Sequence, residues 1–76
     1  MTLAELPYNT VCAIRHVGEV VRDSTYAIGA GLRSGAHVRV LARFPETEPK
    51  LLEVEVGGLV VSIPLGIASD VKMECA

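Results

Sequence analysis

The sequence predicts a mainly β fold: a small, partly open barrel of about five short strands, with one short α-helix between the first and second. Three observations carry this expectation. Leu51 to Ile63 holds two β-rich runs on either side of Gly57-Gly58, the pattern of a tight hairpin. Thr10 to Val17 and His37 to Leu41 are rich in β-branched residues or alternate polar with apolar, as half-buried strands do. Between them, Glu19 to Ala30 shows a helical period.

Each element follows from local chemistry. Thr2-Leu3-Ala4-Glu5 fits a capping box, and Pro7 limits it to about one turn with Leu3 and Leu6 pointing inward. Thr10 to Val17 follows the turn-prone Pro7-Tyr8-Asn9 and forms the first strand, which Gly18 ends. From Glu19 to Ala30 the small or apolar residues Val20, Val21, Ser24, Ala27 and Ile28 recur at helical steps, leaving Glu19, Arg22, Asp23 and Tyr26 opposite. This predicts an amphipathic helix of about two to three turns. Its Val, Ser and Thr residues cost about a few tenths of a kcal/mol each relative to Ala, so packing must hold it. Gly29 and Gly31 supply its end.

Leu32-Arg33-Ser34-Gly35 reads as a turn, Val38 and Val40 face the core from the second strand, and Phe44 to Pro49 has the composition of an exposed loop. Across Gly57-Gly58, Val56 is expected opposite Leu59, Val54 opposite Val61 and Leu52 opposite Ile63, with Glu53, Glu55, Val60 and Ser62 on the other face. Pro64 is expected to break the fourth strand, Leu65 to Ser69 to tuck Ile67 and Ala68 inward, and Val71 to Cys75 to form the last strand. This is too much strand for a helical bundle and too little chain for a sandwich. An SH3-like barrel buries one sheet face and limits exposed edges.

Composition narrows function. Seventy-six residues are expected to form one domain, 1–76. Half are hydrophobic and 4% aromatic, so the core is aliphatic. Seven Lys and Arg against nine Asp and Glu give a net charge of -2, which argues against nucleic acid as a partner. The uncharged run between Glu55 and Asp70 is shorter than the ~20 apolar residues of a membrane helix and contains Pro64, so no membrane insertion is expected. Met1 to Pro7 has neither a basic nor a long apolar signal region, and a cytoplasmic location is expected. Cys12 and Cys75 show neither a zinc spacing nor a dense disulfide framework, which predicts reduced thiols.

No motif brings a nucleophile, a base and an orienting group together, so an enzyme is not expected. Gly29-Ala30-Gly31 precedes no helix start and is no phosphate loop. Cys12 and His16, four apart on a strand, share a face, and Cys75 approaches Cys12 if the terminal strands pair. Two readings stand: a soft site for Fe(II) or Zn(II), or a core cysteine with solvated or partly buried histidines at 16 and 37. The second is favoured, so no metal ligand and no cofactor is assigned. Tyr26 beside Arg22 has the composition of an interface hot spot; its other reading is a half-buried ring over Ala30 or a neighbouring strand. Three aromatics are too few for a groove that takes proline-rich ligands.

In order and spacing the residues resemble the FeoA family, across nearly the whole chain. Thr2-Leu3-Ala4-Glu5-Leu6 looks like the family's start, and Ile14 with Val17 its first strand. Gly31-Leu32-Arg33-Ser34-Gly35 is similar to the family's Gly-hydrophobic-x-Pro-Gly turn, with Ser34 for Pro. Pro45 and Pro49 flank the loop as family prolines do. Val54, Val56 and Gly58, then Val61, Ile63, Ala68 and Val71, fit the closing pattern. The helix departs, having only Arg22 where the family carries several basic residues, and Pro64 stands where Arg is common.

The resemblance implies an SH3-like barrel and a non-catalytic accessory role in bacterial ferrous-iron transport. Its implied partner is an iron permease with a cytoplasmic GTPase domain, of FeoB type. On this view Arg22, Tyr26 and Arg33 form the partner-binding patch, and the hairpin with Ile14 the rigid frame. The barrel is also similar to the C-terminal domain of metal-dependent repressors, although no DNA-binding part is expected here. The alternative is therefore a metal-responsive regulatory module using Cys12, His16 and Cys75. Weak self-association through an exposed barrel edge is a third option.

Overall fold

The tight turn at Gly57-Gly58 sets the register of the sheet. In the computed structural model, which describes residues 1–75, both glycines have positive φ, 57° and 86°. A two-residue hairpin needs this backbone, and glycine adopts it without steric cost. Val56 therefore pairs with Leu59, Val54 with Val61 and Leu52 with Ile63, as the alternation predicts. Only Leu59 leaves the core, 71% exposed at the hairpin tip.

A short helical turn at Leu3–Glu5 precedes β1 (Cys12–Val17), α1 (Glu19–Arg22), α2 (Thr25–Gly29), β2 (His37–Phe44), β3 (Leu51–Val56), β4 (Leu59–Pro64), α3 (Leu65–Ala68) and β5 (Val71–Glu74). The strands form one antiparallel sheet in the order β4-β3-β2-β1-β5. Its inner face buries Ile14, Val38, Val40, Leu52, Val54, Ile63 and Val71, with Leu3 and Leu6 closing one end. The result is the mainly β, SH3-like architecture expected of the sequence.

The capping box forms: the Thr2 backbone N–H and hydroxyl both donate to Glu5 Oε1, at 2.9 and 3.1 Å. These bonds hold the Glu5 carboxyl below its usual range. Arg43 anchors the same segment to β2, donating to the carbonyls of Ala4 and Leu6 with its guanidinium 4.8 Å above the Tyr8 ring.

The helical segment differs from expectation. The single helix predicted over Glu19 to Ala30 is two, because Asp23 ends α1 and Ser24, in an extended conformation, begins α2 with its hydroxyl accepting from Ala27 N at 3.1 Å. Serine competes well for such a cap. The break rotates the apolar stripe, so that Val21 and Ala27 are buried while Val20 and Ile28 face solvent. At its other end α2 closes in a Schellman arrangement. Gly31, at φ 88°, donates to the Ile28 carbonyl and Leu32 N donates to that of Ala27, seating Leu32 in the core.

Cys12 and Cys75 also depart from expectation. They are not reduced thiols but a disulfide, with Cα atoms 4.6 Å apart. The antiparallel register explains it: Ala13 lies opposite Glu74, so the next residue on each strand faces its counterpart. Pro64 ends β4 as expected: it is the strand's last residue, still paired opposite Leu51, and leads directly into α3. An edge position tolerates a missing N–H.

Candidate partner-binding face

Arg22, Tyr26 and Arg33 fall along the continuous segment of α1, α2 and the turn that follows. Arg22, exposed at the end of α1, donates to the Val17 carbonyl at 2.9 Å, which steers its guanidinium back over the end of β1. Tyr26, on α2, is 49% exposed, and its hydroxyl donates to the Ser62 carbonyl. The ring thus combines both sequence readings: it reaches a neighbouring strand while half its surface meets water. Arg33 is exposed in the glycine-bounded turn. It lines an open groove of about 480 Å³ whose walls include Gly31, His37, Val56 and Leu59. No hydrogen bond joins the three side chains to each other among the described residues.

Exposed apolar side chains accompany them: Ile28 on α2, and Leu59 and Val60 on β4. The sequence assigned Ile28 to the buried stripe and Leu59 to the inner hairpin face. Only Val60 was legible as outward-facing, from the hairpin alternation. Ser62, which receives the Tyr26 hydroxyl, was missed as a site residue; its own alternation pointed outward, but nothing in the sequence linked it to α2.

The metal-binding alternative loses its donor set. Both sulfurs are bonded to each other, and Cys12 is 2% exposed. A bulge between Ile14 and His16 adds a residue to β1 relative to β5, so His16 does not share the inward face of Cys12. His16 instead lines a groove with Arg15, Lys72 and Met73, where two cationic neighbours disfavour a metal ion. No group of three His, Cys, Asp or Glu side chains converges among the described residues. Nor is any helix among them long and apolar enough to cross a membrane.

No protein-family model matches this chain, and no curated protein matches its sequence. Solved structures do. FeoA of Stenotrophomonas maltophilia, solved with zinc, is described as a prokaryotic SH3 domain protein and a proposed activating factor of ferrous iron transport. It matches with a TM-score of 0.75 at 26% identity over 97% of this chain and 89% of its own. FeoA from Chlorobium tepidum matches at 0.78 and 25% identity, over 99% and 70%. ScaR with bound Zn2+ matches at 0.78 and 23% identity, over 100% of this chain but 37% of its own. The likeness read from the sequence is thus carried by the fold: this chain is a FeoA-like SH3 barrel.

Proposed function

We propose that this chain is a non-catalytic accessory protein of bacterial ferrous-iron transport, acting in the cytoplasm on an iron permease that bears a GTPase domain, of FeoB type. The observation that supports this reading is the match to FeoA structures over nearly the whole length of both partners. The partner-binding residues are Arg22, Tyr26 and Arg33, beside the exposed apolar side chains Ile28, Leu59 and Val60. An aromatic and arginines around an apolar centre suit protein recognition.

The test is calorimetric titration of the chain against the cytosolic GTPase region of the cognate permease, with and without guanine nucleotide. Saturable binding, lost in Arg33→Glu and weakened in Tyr26→Ala, is the expected result. Absence of binding under every nucleotide condition overturns a docking site on that region.

The match to ScaR favours a second reading, a metal-responsive regulatory module. Its proposed ligands Cys12, His16 and Cys75 do not form a site, so it would require other residues. Unchanged melting with and without anaerobic Fe(II) removes it, because a ligand that binds only the native state must stabilise that state.

A further inference from the structure

The two edges of the sheet are treated differently. At the β5 edge the chain covers itself: Thr2 bridges Lys72, and Met73 N donates to the Met1 carbonyl at 2.9 Å. At the β4 edge the hairpin register decides which groups are free. In a two-residue hairpin the residues flanking the turn form a hydrogen-bonded pair, and such pairs alternate along the ribbon. Val56/Leu59, Val54/Val61 and Leu52/Ile63 are therefore the bonded pairs, and the intervening Val60 and Ser62 direct N–H and C=O away from β3. Of these four outward groups, the Ser62 carbonyl alone has a partner among the described residues, and that partner is a side chain, Tyr26.

Edge strands are normally guarded by charge, and β4 has none: it reads Leu-Val-Val-Ser-Ile-Pro. Leu59 and Val60 add exposed apolar surface beside the free backbone. Pro64, the next residue facing outward, has no N–H to offer and ends the usable edge.

We propose that two copies of this chain pair through β4, antiparallel, about a two-fold axis at Val61. That register sets Val60 of one copy opposite Ser62 of the other, twice. Each Val60 N–H donates to the Ser62 carbonyl of the second copy, and each Ser62 N–H donates to its Val60 carbonyl. All four outward groups on each strand are then satisfied by the same short sequence. A second copy is the occupant because the match is self-complementary and two uncharged strands meet without like-charge repulsion. Because the β5 edge is covered, assembly stops at the dimer. In the monomer the Tyr26 hydroxyl stands where the missing strand's N–H belongs. A carbonyl oxygen has two lone pairs, so Tyr26 either shares it or swings out into solvent.

The experiment is sedimentation equilibrium across a hundredfold dilution series, with amide exchange by NMR on the same samples. Mass is expected to rise with concentration from 8.1 kDa toward twice that value. Protection of the Val60 and Ser62 amides is expected to rise with it, while the Val61 and Ile63 amides, already bonded to β3, do not change. Val60→Pro removes an N–H that β3 does not use and is expected to abolish association. Should that variant not fold, Val60→Lys serves instead, since position 60 lies opposite Glu55 and tolerates a cation. A chain that stays monomeric throughout overturns the proposal, as does a dimer whose Val60 and Ser62 amides stay unprotected, or a folded Val60→Lys variant that dimerises like the native chain.

Discussion

The carboxylate of Asp70 occupies the space that a side chain at Gly18 would need: a Cβ there falls 1.9 Å from Asp70 Oδ1. The two residues are also hydrogen-bonded, Gly18 N donating to the Asp70 carbonyl at 2.9 Å. From that position Asp70 Oδ2 accepts from Val21 N at 3.0 Å, capping α1 from the far end of the chain. Gly18 itself has an ordinary extended backbone, so its requirement is for space and not for an unusual φ.

Gly18→Ala is therefore expected to destabilise the fold by about 1–2 kcal/mol, by displacing the capping carboxylate. Asp70→Ala should cost a similar amount. The two should not add, since the alanine at 18 has nothing to strike once the carboxylate is gone. A double-mutant cycle by urea denaturation measures this, and full additivity would contradict the account.

The Cys12–Cys75 bond closes a loop with a sequence separation of 63 residues. The chain-entropy model assigns a loop of that size about 4 kcal/mol, chiefly by restricting the unfolded chain. Cys75→Ser, at an exposed position, is the cleaner variant because a polar group at buried Cys12 adds a penalty of its own. The native chain is expected to lose stability on reduction, whereas Cys75→Ser should unfold at one denaturant concentration with or without reductant.

Glu5 makes the N-terminal cap sensitive to acid. Bonds from the Thr2 backbone and hydroxyl hold its carboxyl below the usual carboxylate range, so the folded pKa lies below the unfolded one. The cap's contribution is complete above the unfolded value and is lost as pH falls through the folded value. Glu5→Gln is expected to be less stable than the native chain at neutral pH and to show a shallower decline in acid, as followed by thermal melts across that range.

Arg43 ties the first residues to the sheet through the carbonyls of Ala4 and Leu6. Arg43→Met keeps an apolar stem but leaves both carbonyls without that donor, at a cost of about 1–3 kcal/mol. The loss is expected to concentrate in residues 1–8, where amide exchange should quicken well before that of β3. Uniform loss of protection across the sheet would show that Arg43 acts on global stability instead.

How far the sequence could be read depended on whether a residue's surroundings were local. Hairpin register was legible because Gly57-Gly58 and the alternation beside it settle it within a few residues. Leu3 and Leu6 were legible for the same reason. The split between α1 and α2 was not, since Ser24 fits the small face of a helix as well as it fits a cap. The disulfide depends on β1 meeting β5, a pairing that no spacing in the sequence records. His16 was misplaced by the bulge beside it, which reverses the alternation halfway along β1. Of the candidate face, Tyr26 was recognisable by residue type, but its hold on Ser62 depends on where α2 comes to rest against β4.

That bulge has a bearing on the chain's length. Cys12 and Ile14 are buried, Val17 is partly covered, and both Arg15 and His16 face outward. Removing Arg15 would bring Ile14, His16 and Val17 into plain alternation opposite Met73, Lys72 and Val71, with every inward residue still inward. Removing His16 instead has the same result, with Arg15 taking the outward place opposite Lys72, because the two outward residues flank the one extra position. The Arg15-His16 pair is thus the point at which this strand can shorten without loss of its inward set, and variation in strand length between otherwise equivalent barrels is expected to gather there.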